Sequence, residues 1–574
     1  MRKFLLGVFV GVVFVALCVV ILIAAAFKLG ANKGPTIARN SALVLNVEGD
    51  MPEVPPVDMD LPFLSTQTQP TVRDVWAALQ SAASDDRIKA IVLEPHGLSV
   101  GWGKLDEIRH DIEQFKKSGK PVYAYLRTPG MHEYYLASVA DKIYVDPDDY
   151  LEIRGFRIEA TYLKNTLDKL GISFDVDHIG RYKDAGDTLT RTGMTNETRE
   201  VLNSVLDQVY GSFCSTVGLS RHKSSEEMKA LIDQGPFLAS AAKRAGLVDT
   251  LGYEDQLLGD IRNKLGNGDL NKISYRSYVR AVPSSGARIA LLAGEGDIIR
   301  GSVEGPFGQQ SLIASETFAK AIEQVRKDSS VRGVVLRVDS PGGDAVASDE
   351  ILHDIQRLSK EKPVVISMSD VAASGGYFIS MTGDPVLAYP NTLTGSIGVL
   401  YGKPNLHGLY DKIGINKELL SRGKFADIDS DYTPLSDAGR LKLHEGIQST
   451  YRSFVTKVAT ARKRTYDQVE PLAQGRVWMG AQARGNGLID ELGGLDRAVQ
   501  LIRERANLSP TAKVNLVPFP PRRSLIETLI NSGPDALAEA AITRNIGTLT
   551  GNWPSAALIR GGIMEIMPYR IQIK

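Results

Sequence analysis

The chain has 574 residues with 67 basic and 67 acidic side chains, so its formal net charge is zero and no basic excess is available to hold nucleic acid. Hydrophobic residues make up 43% and charged residues 23%, a balance that excludes a disordered or low-complexity chain. Only Cys18 and Cys214 occur, so there is no disulfide framework; the eight histidines are scattered, no Cys/His cluster has metal-ligand spacing, and neither a metal nor another cofactor is expected.

After Met1-Arg2-Lys3, residues Phe4 to Phe27 form 24 positions without a charge or a proline. As a helix rising 1.5 Å per residue they would span about 36 Å, enough for a hydrocarbon core of ~30 Å with some tilt, so residues 4–27 are predicted to be a transmembrane anchor. The run exceeds the ~7–15 apolar residues of a cleaved signal peptide, and no small-x-small site leads into a polar start. Arg2, Lys3 and the terminal amine balance Lys28, Lys33 and Arg39, so the charge count alone leaves the orientation open. A short basic N-terminus usually stays cytoplasmic, which would put the body of the protein outside the cytoplasm.

The chain is then written twice. Asp85-Asp86-Arg87-Ile88-Lys89-Ala90-Ile91-Val92-Leu93, followed by Leu105-Asp106-Glu107-Ile108, returns as Asp328-Ser329-Ser330-Val331-Arg332-Gly333-Val334-Val335-Leu336, followed by Ser348-Asp349-Glu350-Ile351. Both blocks share one offset of 243 positions, from Ala90 to Gly333 and from Asp106 to Asp349. Tyr134-Tyr135-Leu136-Ala137-Ser138 matches Tyr377-Phe378-Ile379-Ser380-Met381, and Ala245-Gly246-Leu247-Val248-Asp249 matches Asn486-Gly487-Leu488-Ile489-Asp490. A period this long is a domain duplication, far beyond the roughly 20–50 residues of a solenoid repeat. The first copy is taken as residues 41–280 and the second as 287–510, with Ala281-Val282-Pro283-Ser284-Ser285-Gly286 as the linker.

Within the second copy, Ile289-Ala290-Leu291-Leu292 reads as a strand, Ser315 to Val325 as a helix and Gly333 to Val338 as a strand. A helix from Ala347 to Leu358, the strand Val364 to Ser367 and a glycine-rich turn into another helix follow. Short apolar runs alternating with amphipathic helices argue for an α/β fold with buried, largely parallel strands. Residues 511–574, with Pro518, Pro520 and Pro521, read as a C-terminal tail of unknown role without a counterpart in the first copy.

Differences between the copies point to chemistry. Asp339-Ser340-Pro341-Gly342-Gly343-Asp344 follows a strand where the first copy has Pro95-His96-Gly97-Leu98-Ser99. A Pro-Gly-Gly turn leaves backbone N–H groups uncovered, the shape of an oxyanion hole, although an ordinary glycine turn would look the same. Asp370-Val371-Ala372-Ala373-Ser374-Gly375-Gly376-Tyr377 then sets Ser374 between a strand and a helix start, where the first copy has Met131. The simplest role for such a serine is a helix N-cap. Beside the Pro-Gly-Gly turn, and replaced by methionine in the sister copy, it reads instead as a nucleophile held where N–H groups stabilise negative charge.

A serine nucleophile needs a base, and the histidines after Ser374, His407 and His444, stand in no recognisable relation to it. A lysine with the ordinary pKa of ~10.4 is neutral in only about one molecule in 2,500 at pH 7, so it must be buried or stand near another cation. Ser-x-x-Lys occurs at Ser220–Lys223, among charges, and at Ser421–Lys424. Lys183, in Gly180-Arg181-Tyr182-Lys183-Asp184-Ala185, has Lys424 as its twin in the second copy, and the residues alone do not choose between them.

Asp-Ser-Pro-Gly-Gly-Asp, Ala-Ala-Ser-Gly-Gly-Tyr and Thr394-Gly395-Ser396-Ile397-Gly398 together resemble the signal peptide peptidase A family in its long, duplicated bacterial form. The resemblance implies a tandem crotonase/Clp-protease-like ββα fold behind one transmembrane helix. It implies a serine endopeptidase with a Ser–Lys dyad divided between the copies: Ser374 as nucleophile and Lys183 as general base. Gly342, Gly343 and Gly375 would form the oxyanion environment, and Ser396 would orient the lysine. It further implies hydrophobic peptide substrates such as cleaved signal peptides, and a homotetramer on the bacterial inner membrane with its catalytic body in the periplasm. Whether the dyad forms within or between chains stays open.

Three rival readings remain. Gly97-Leu98-Ser99-Val100-Gly101 matches the Gly-x-Ser-x-Gly elbow of esterases, but the strand is expected to end near Glu94-Pro95 and the helix to resume only near Leu105, too far apart for an elbow. A crotonase-type acyl-CoA enzyme would share the fold, and a non-catalytic membrane scaffold would make the glycine turns structural and Ser374 a cap.

Overall fold

The computed structural model describes residues 35–519, with breaks at 55–59, 62–63, 66–69, 267, 283–284 and 303–311, together with Gly11, 562–567, 571 and 573. The expected anchor at 4–27 falls, Gly11 apart, outside the described residues, among which no helix is long and apolar enough to cross a membrane.

The duplication is visible strand by strand. In the first copy, six parallel strands lie in the order Thr250–Leu251, Lys142–Val145, Val122–Leu126, Ile88–Leu98, Ser41–Gly49, Asn271–Ser274. The second copy repeats them in parallel as Glu491–Leu492, Val386–Ala388, Val364–Ala373, Val331–Ser340, Ala287–Glu295, Val514–Phe519. Central runs such as Val122–Leu126 and Val334–Val338 are buried throughout, because helices cover both faces and no position alternates out to water. Each copy also carries a 25-residue helix, Asn196–Ser220 and Asp437–Ala461, capped at its N-terminus by Thr195 or Ser436. Tyr134 and Tyr377, one per copy, each donate a hydroxyl to a backbone carbonyl, of Leu247 and Leu488 respectively, at 2.7 Å.

One expectation is corrected here. The stretch set apart as a tail begins with Val514–Phe519, which pairs with Ala287–Glu295 as Asn271–Ser274 pairs with Ser41–Gly49. It is the last strand of the second copy and has a counterpart in the first.

The copies interlock through buried charge. In the second copy Asp344 caps the helix Ala345–Ser359, its Oδ1 accepting from the N–H groups of Val346 and Ala347 at 2.9 Å. The corresponding helix of the first copy, Trp102–Lys116, starts from Gly101, which has no side chain to do this. Asp370 of the second copy supplies the cap instead, accepting from Gly101 N at 2.9 Å and Lys104 N at 2.7 Å. A fully buried Arg337 reaches from the second copy to Glu53 at 2.8 Å and Glu107 at 2.5 Å in the first.

A further sheet crosses between the copies, in the order Leu312–Ala314, Asp297–Ile299, Gly342–Asp344, Gly562–Ile566, Val399–Asn405, Ser173–Ile179. Its last pairing is antiparallel, and it lays the first-copy strand Ser173–Ile179 against the second-copy strand Val399–Asn405 from Ser173 opposite Asn405 to Ile179 opposite Val399. That pairing brings the segment after Ile179, and with it Lys183, to the second copy.

Candidate active site

Ser374 follows the strand Val364–Ala373 and precedes the five-residue helix Gly375–Ile379. Its backbone sits at φ 53°, ψ −116°, a conformation that costs a non-glycine residue of order 1–3 kcal/mol. Two hydrogen bonds hold it there: Ser374 N donates to Gly395 O at 2.8 Å, and Ser374 O accepts from Phe378 N at 2.8 Å. The side chain makes no cap hydrogen bond, so the N-cap role is not the one it plays. In the first copy the equivalent helix, Met131–Ala137, is entered from Gly130 at an unstrained φ of −84°. The strained residue is the helix-entry residue only in the copy that carries the serine; in the first copy the positive φ falls earlier, at Thr128 (φ 42°). With only five residues, the helix contributes an orphan turn of N–H groups rather than a long dipole.

Lys183 Nζ donates to Ser374 Oγ at 2.7 Å, within one chain. The same nitrogen reaches Ser396 O at 2.9 Å and Ser396 Oγ at 3.0 Å. Lys183, Ser374 and Ser396 are all completely buried. The loop that delivers the lysine is pinned to the second copy, Tyr182 N donating to Gln474 O at 2.8 Å. Burial drives the Lys183 pKa from the ordinary 10.5 down to about 7, against an opposing pull from Glu565 and Asp184. A large fraction of the amine is therefore unprotonated near neutrality, which is what a lysine needs to accept a proton.

The glycines lie around this pair. The Gly375 N–H, at the first helical position, has no intrahelical partner. A Cβ on Gly342 (φ 104°) would stand 2.7 Å from Gly375 N and would collide with the Glu565 carbonyl oxygen; the Gly342 N–H donates to Ser340 Oγ at 3.1 Å. A Cβ on Gly343 would collide with the Ile298 carbonyl. Gly342 and Gly375 thus lie close together, with the Glu565 carbonyl oxygen inside the space of a Cβ on Gly342 and 3.2 Å from one on Gly375.

The other candidates lie elsewhere. Lys424 is exposed in a turn, its ammonium over the Phe425 ring. His407 is hydrogen-bonded to Tyr432 O at 3.0 Å and His444 to Asp177 at 2.9 Å. Ser99 is exposed, and its surroundings differ from expectation: the strand runs to Leu98 and the helix begins at Trp102, so a short strand–turn–helix is present. Its N–H donates to Gly49 O at 3.0 Å, and among the described residues no base is hydrogen-bonded to its hydroxyl.

Several residues at the site escaped the sequence reading. Gly475 and Gly398 wall in Lys183: a Cβ on Gly475 would lie 2.6 Å from Lys183 Cβ, and one on Gly398 3.0 Å from its Cδ. Lys104, from the first copy, sits at 2.8 Å from Asp339 and 3.7 Å from Asp370, the residues that open the Pro-Gly-Gly and Ser374 segments. A signal for Lys104 existed, since the second copy has Ala347 at the matching position.

Peptidase family S49 matches residues 114–266 and again residues 356–509. The chain is 37% identical over 464 residues to "Serine protease SPPA, chloroplastic" of Arabidopsis thaliana, covering 79% of this chain and 68% of that protein. It is 31% identical over 534 residues to "Protease 4" of Haemophilus influenzae, covering 88% of this chain and 86% of that protein. Among solved structures, a ClpP1 mutant from Listeria monocytogenes overlaps 36% of this chain and 94% of its own, at 16% identity and a TM-score of 0.22.

Proposed function

The chain belongs to peptidase family S49 and is a serine peptidase, and we propose that it works through a dyad of Ser374 and Lys183. The observation that carries the proposal is the 2.7 Å contact between Lys183 Nζ and Ser374 Oγ inside a fully buried pocket. Neutral Lys183 takes the Oγ proton as Oγ adds to a peptide carbonyl. The resulting oxyanion lies against the Gly375 N–H beside Gly342, where one well-placed donor contributes roughly 3–4 kcal/mol to the transition state. The ammonium then gives its proton to the departing amine, and water releases the acyl group from Ser374 by the same steps in reverse order. Ser396, with two acceptors on Nζ, fixes the direction in which the lysine lone pair points.

The substrate class we propose is a hydrophobic peptide bound extended, such as a cleaved signal peptide. Support comes from the apolar cluster of Ala185, Leu189 and Leu400, edged by Leu163, Leu167 and Phe174, next to the dyad. The uncharged run at 4–27 supports a membrane anchor and, with it, a body held in the bacterial periplasm. The homotetramer rests on the family resemblance.

Turnover of a fluorogenic hydrophobic peptide by the full chain in detergent tests the dyad. Ser374→Ala and Lys183→Ala are expected to abolish it and Lys424→Ala to leave it intact. Activity surviving Ser374→Ala would remove the serine from the mechanism and make Ser99 the next candidate.

A further inference from the structure

The sheet that crosses between the copies contains one strand that belongs to neither. Gly562–Ile566 lies antiparallel to Gly342–Asp344 on one side, with Gly342 opposite Ile566, Gly343 opposite Glu565 and Asp344 opposite Met564. On its other side it is antiparallel to Val399–Asn405, with Leu400 opposite Met564 and Gly402 opposite Gly562. Without it, two strand edges would face each other across a gap one strand wide, leading to Ser374. Open edges of this kind take up extended peptides through main-chain hydrogen bonds, with pockets for alternate side chains.

The strand fills that gap as a peptide substrate would. Met564 and Ile566 pack into the apolar cluster with Ala185, Leu189 and Leu400. The Glu565 carbonyl oxygen lies close to Gly342 and Gly375, the glycines that flank Ser374 in the mechanism. Beyond it Met567 N donates to Pro341 O at 2.7 Å, and Ile573 bridges to Ile158 of the first copy.

We infer that Gly562–Met567 is a tethered occupant of the peptide channel, lying in the place of substrate between the two strand edges, so that an incoming peptide must displace it. The inference rests on the proposed Ser374–Lys183 site. The occupant is built to leave. Glu565 Oε2 is buried without a hydrogen-bond partner among the described residues, an arrangement that costs about 1–3 kcal/mol. Burial, with Asp349 and Asp344 nearby, holds its carboxyl well above the ordinary carboxylate range against the pull of Lys183 and Lys457.

Two measurements separate this inference from the mechanism beneath it. A labelled synthetic peptide with the sequence of residues 560–568 is titrated by fluorescence anisotropy into the inactive Ser374→Ala chain, with and without Met564→Asp and Ile566→Asp. At least tenfold tighter binding is expected once those two charges expel the resident strand; equal affinity overturns the inference, whatever the turnover assay shows. In the active chain, Leu400→Cys with Met564→Cys places a thiol on each of two opposed residues. Oxidation is expected to lower peptide turnover at least tenfold and dithiothreitol to restore it, the reduced form serving as the check on folding. Equal turnover in the two redox states of a cross-linked chain also overturns it, whereas turnover that survives Ser374→Ala condemns the dyad and leaves the binding result standing.

Discussion

Lys104 of the first copy and Asp339 of the second form an ion pair of 2.8 Å in which the lysine side chain is 3% exposed. The same Nζ lies 3.7 Å from Asp370 and 4.0 Å from Glu295. Asp339 opens the turn that carries Gly342, and Asp370 opens the run that ends in Ser374. One cation from one copy therefore fixes the spacing of the two segments that must cooperate in the other.

Replacing Lys104 by Met leaves three carboxylates around an uncompensated site. Removing one partner of a buried pair costs about 3–5 kcal/mol, roughly 10 °C of melting temperature for a domain of this size. Thermal denaturation should show that loss, and kcat should fall with it because no cation then ties the Asp339 segment to the Asp370 segment. An unchanged melting temperature would mean that the three carboxylates are solvated or protonated and that Lys104 holds nothing in place.

The pH dependence of turnover follows from Lys183. Because only the neutral amine accepts the Oγ proton and its pKa is about 7, kcat/KM should rise about tenfold per pH unit below 7 and level off above it. Lys183→Arg, whose side chain stays protonated, should be inactive across the range. A flat profile between pH 5 and 9 in the wild-type chain would exclude this lysine as the base.

The same shift has a cost in stability with a definite sign. In the unfolded chain Lys183 holds its proton up to about 10.5, whereas in the folded chain it loses it near 7. Folding is therefore penalised in full below pH 7, progressively less between 7 and 10.5, and not at all above. The full penalty is about 5 kcal/mol on the scale of 1.36 kcal/mol per pKa unit. Lys183→Met should thus be inactive yet more stable than wild type at pH 6, with the advantage fading toward pH 10. A stability difference that does not change with pH would show that the lysine titrates normally.

The fold was legible because the offset of 243 residues is a property of the side chains that build buried strands. Val331–Ser340 and Ile88–Leu98 share their apolar pattern, and their neighbours in the sheet follow. Val514–Phe519 was set apart as tail because its prolines mask a strand whose match in the first copy is only four residues, Asn271–Ser274. The residues alone do not choose between Lys183 and Lys424, since each stands within three positions of a glycine and two positions after an arginine. In space the two lysines differ: the strand before Lys183, Ser173–Ile179, pairs with Val399–Asn405 and brings Lys183 to Ser374, whereas the stretch before Lys424 forms no strand and its lysine is left exposed. Glu565 could not be placed at all, because the alternation Ile563-Met564-Glu565-Ile566 says strand without saying which two edges receive it.

The glycines around Lys183 give the sharpest test of how closely the dyad is set. Gly398 has an ordinary backbone conformation, so alanine there meets no left-handed strain, but its Cβ would stand 3.0 Å from both Lys183 Cδ and Gly475 Cα and 3.1 Å from Gly475 N. The lysine stem must give by a few tenths of an ångström, and its amine, at the end of a lever, moves further. Misplacing a reacting group by about 1 Å costs on the order of a hundredfold in rate. Gly398→Ala should therefore keep its KM and lose only a little melting temperature while kcat drops about 10- to 100-fold. Gly475 differs: its φ is 74°, and the added Cβ would lie 2.6 Å from both Lys183 N and Cβ, so backbone has to move. Gly475→Ala should lose stability as well as kcat. Thermal melts beside steady-state kinetics on the two variants decide the matter: if Gly398→Ala turns over at the wild-type rate, the position of Nζ is not what limits the chemistry.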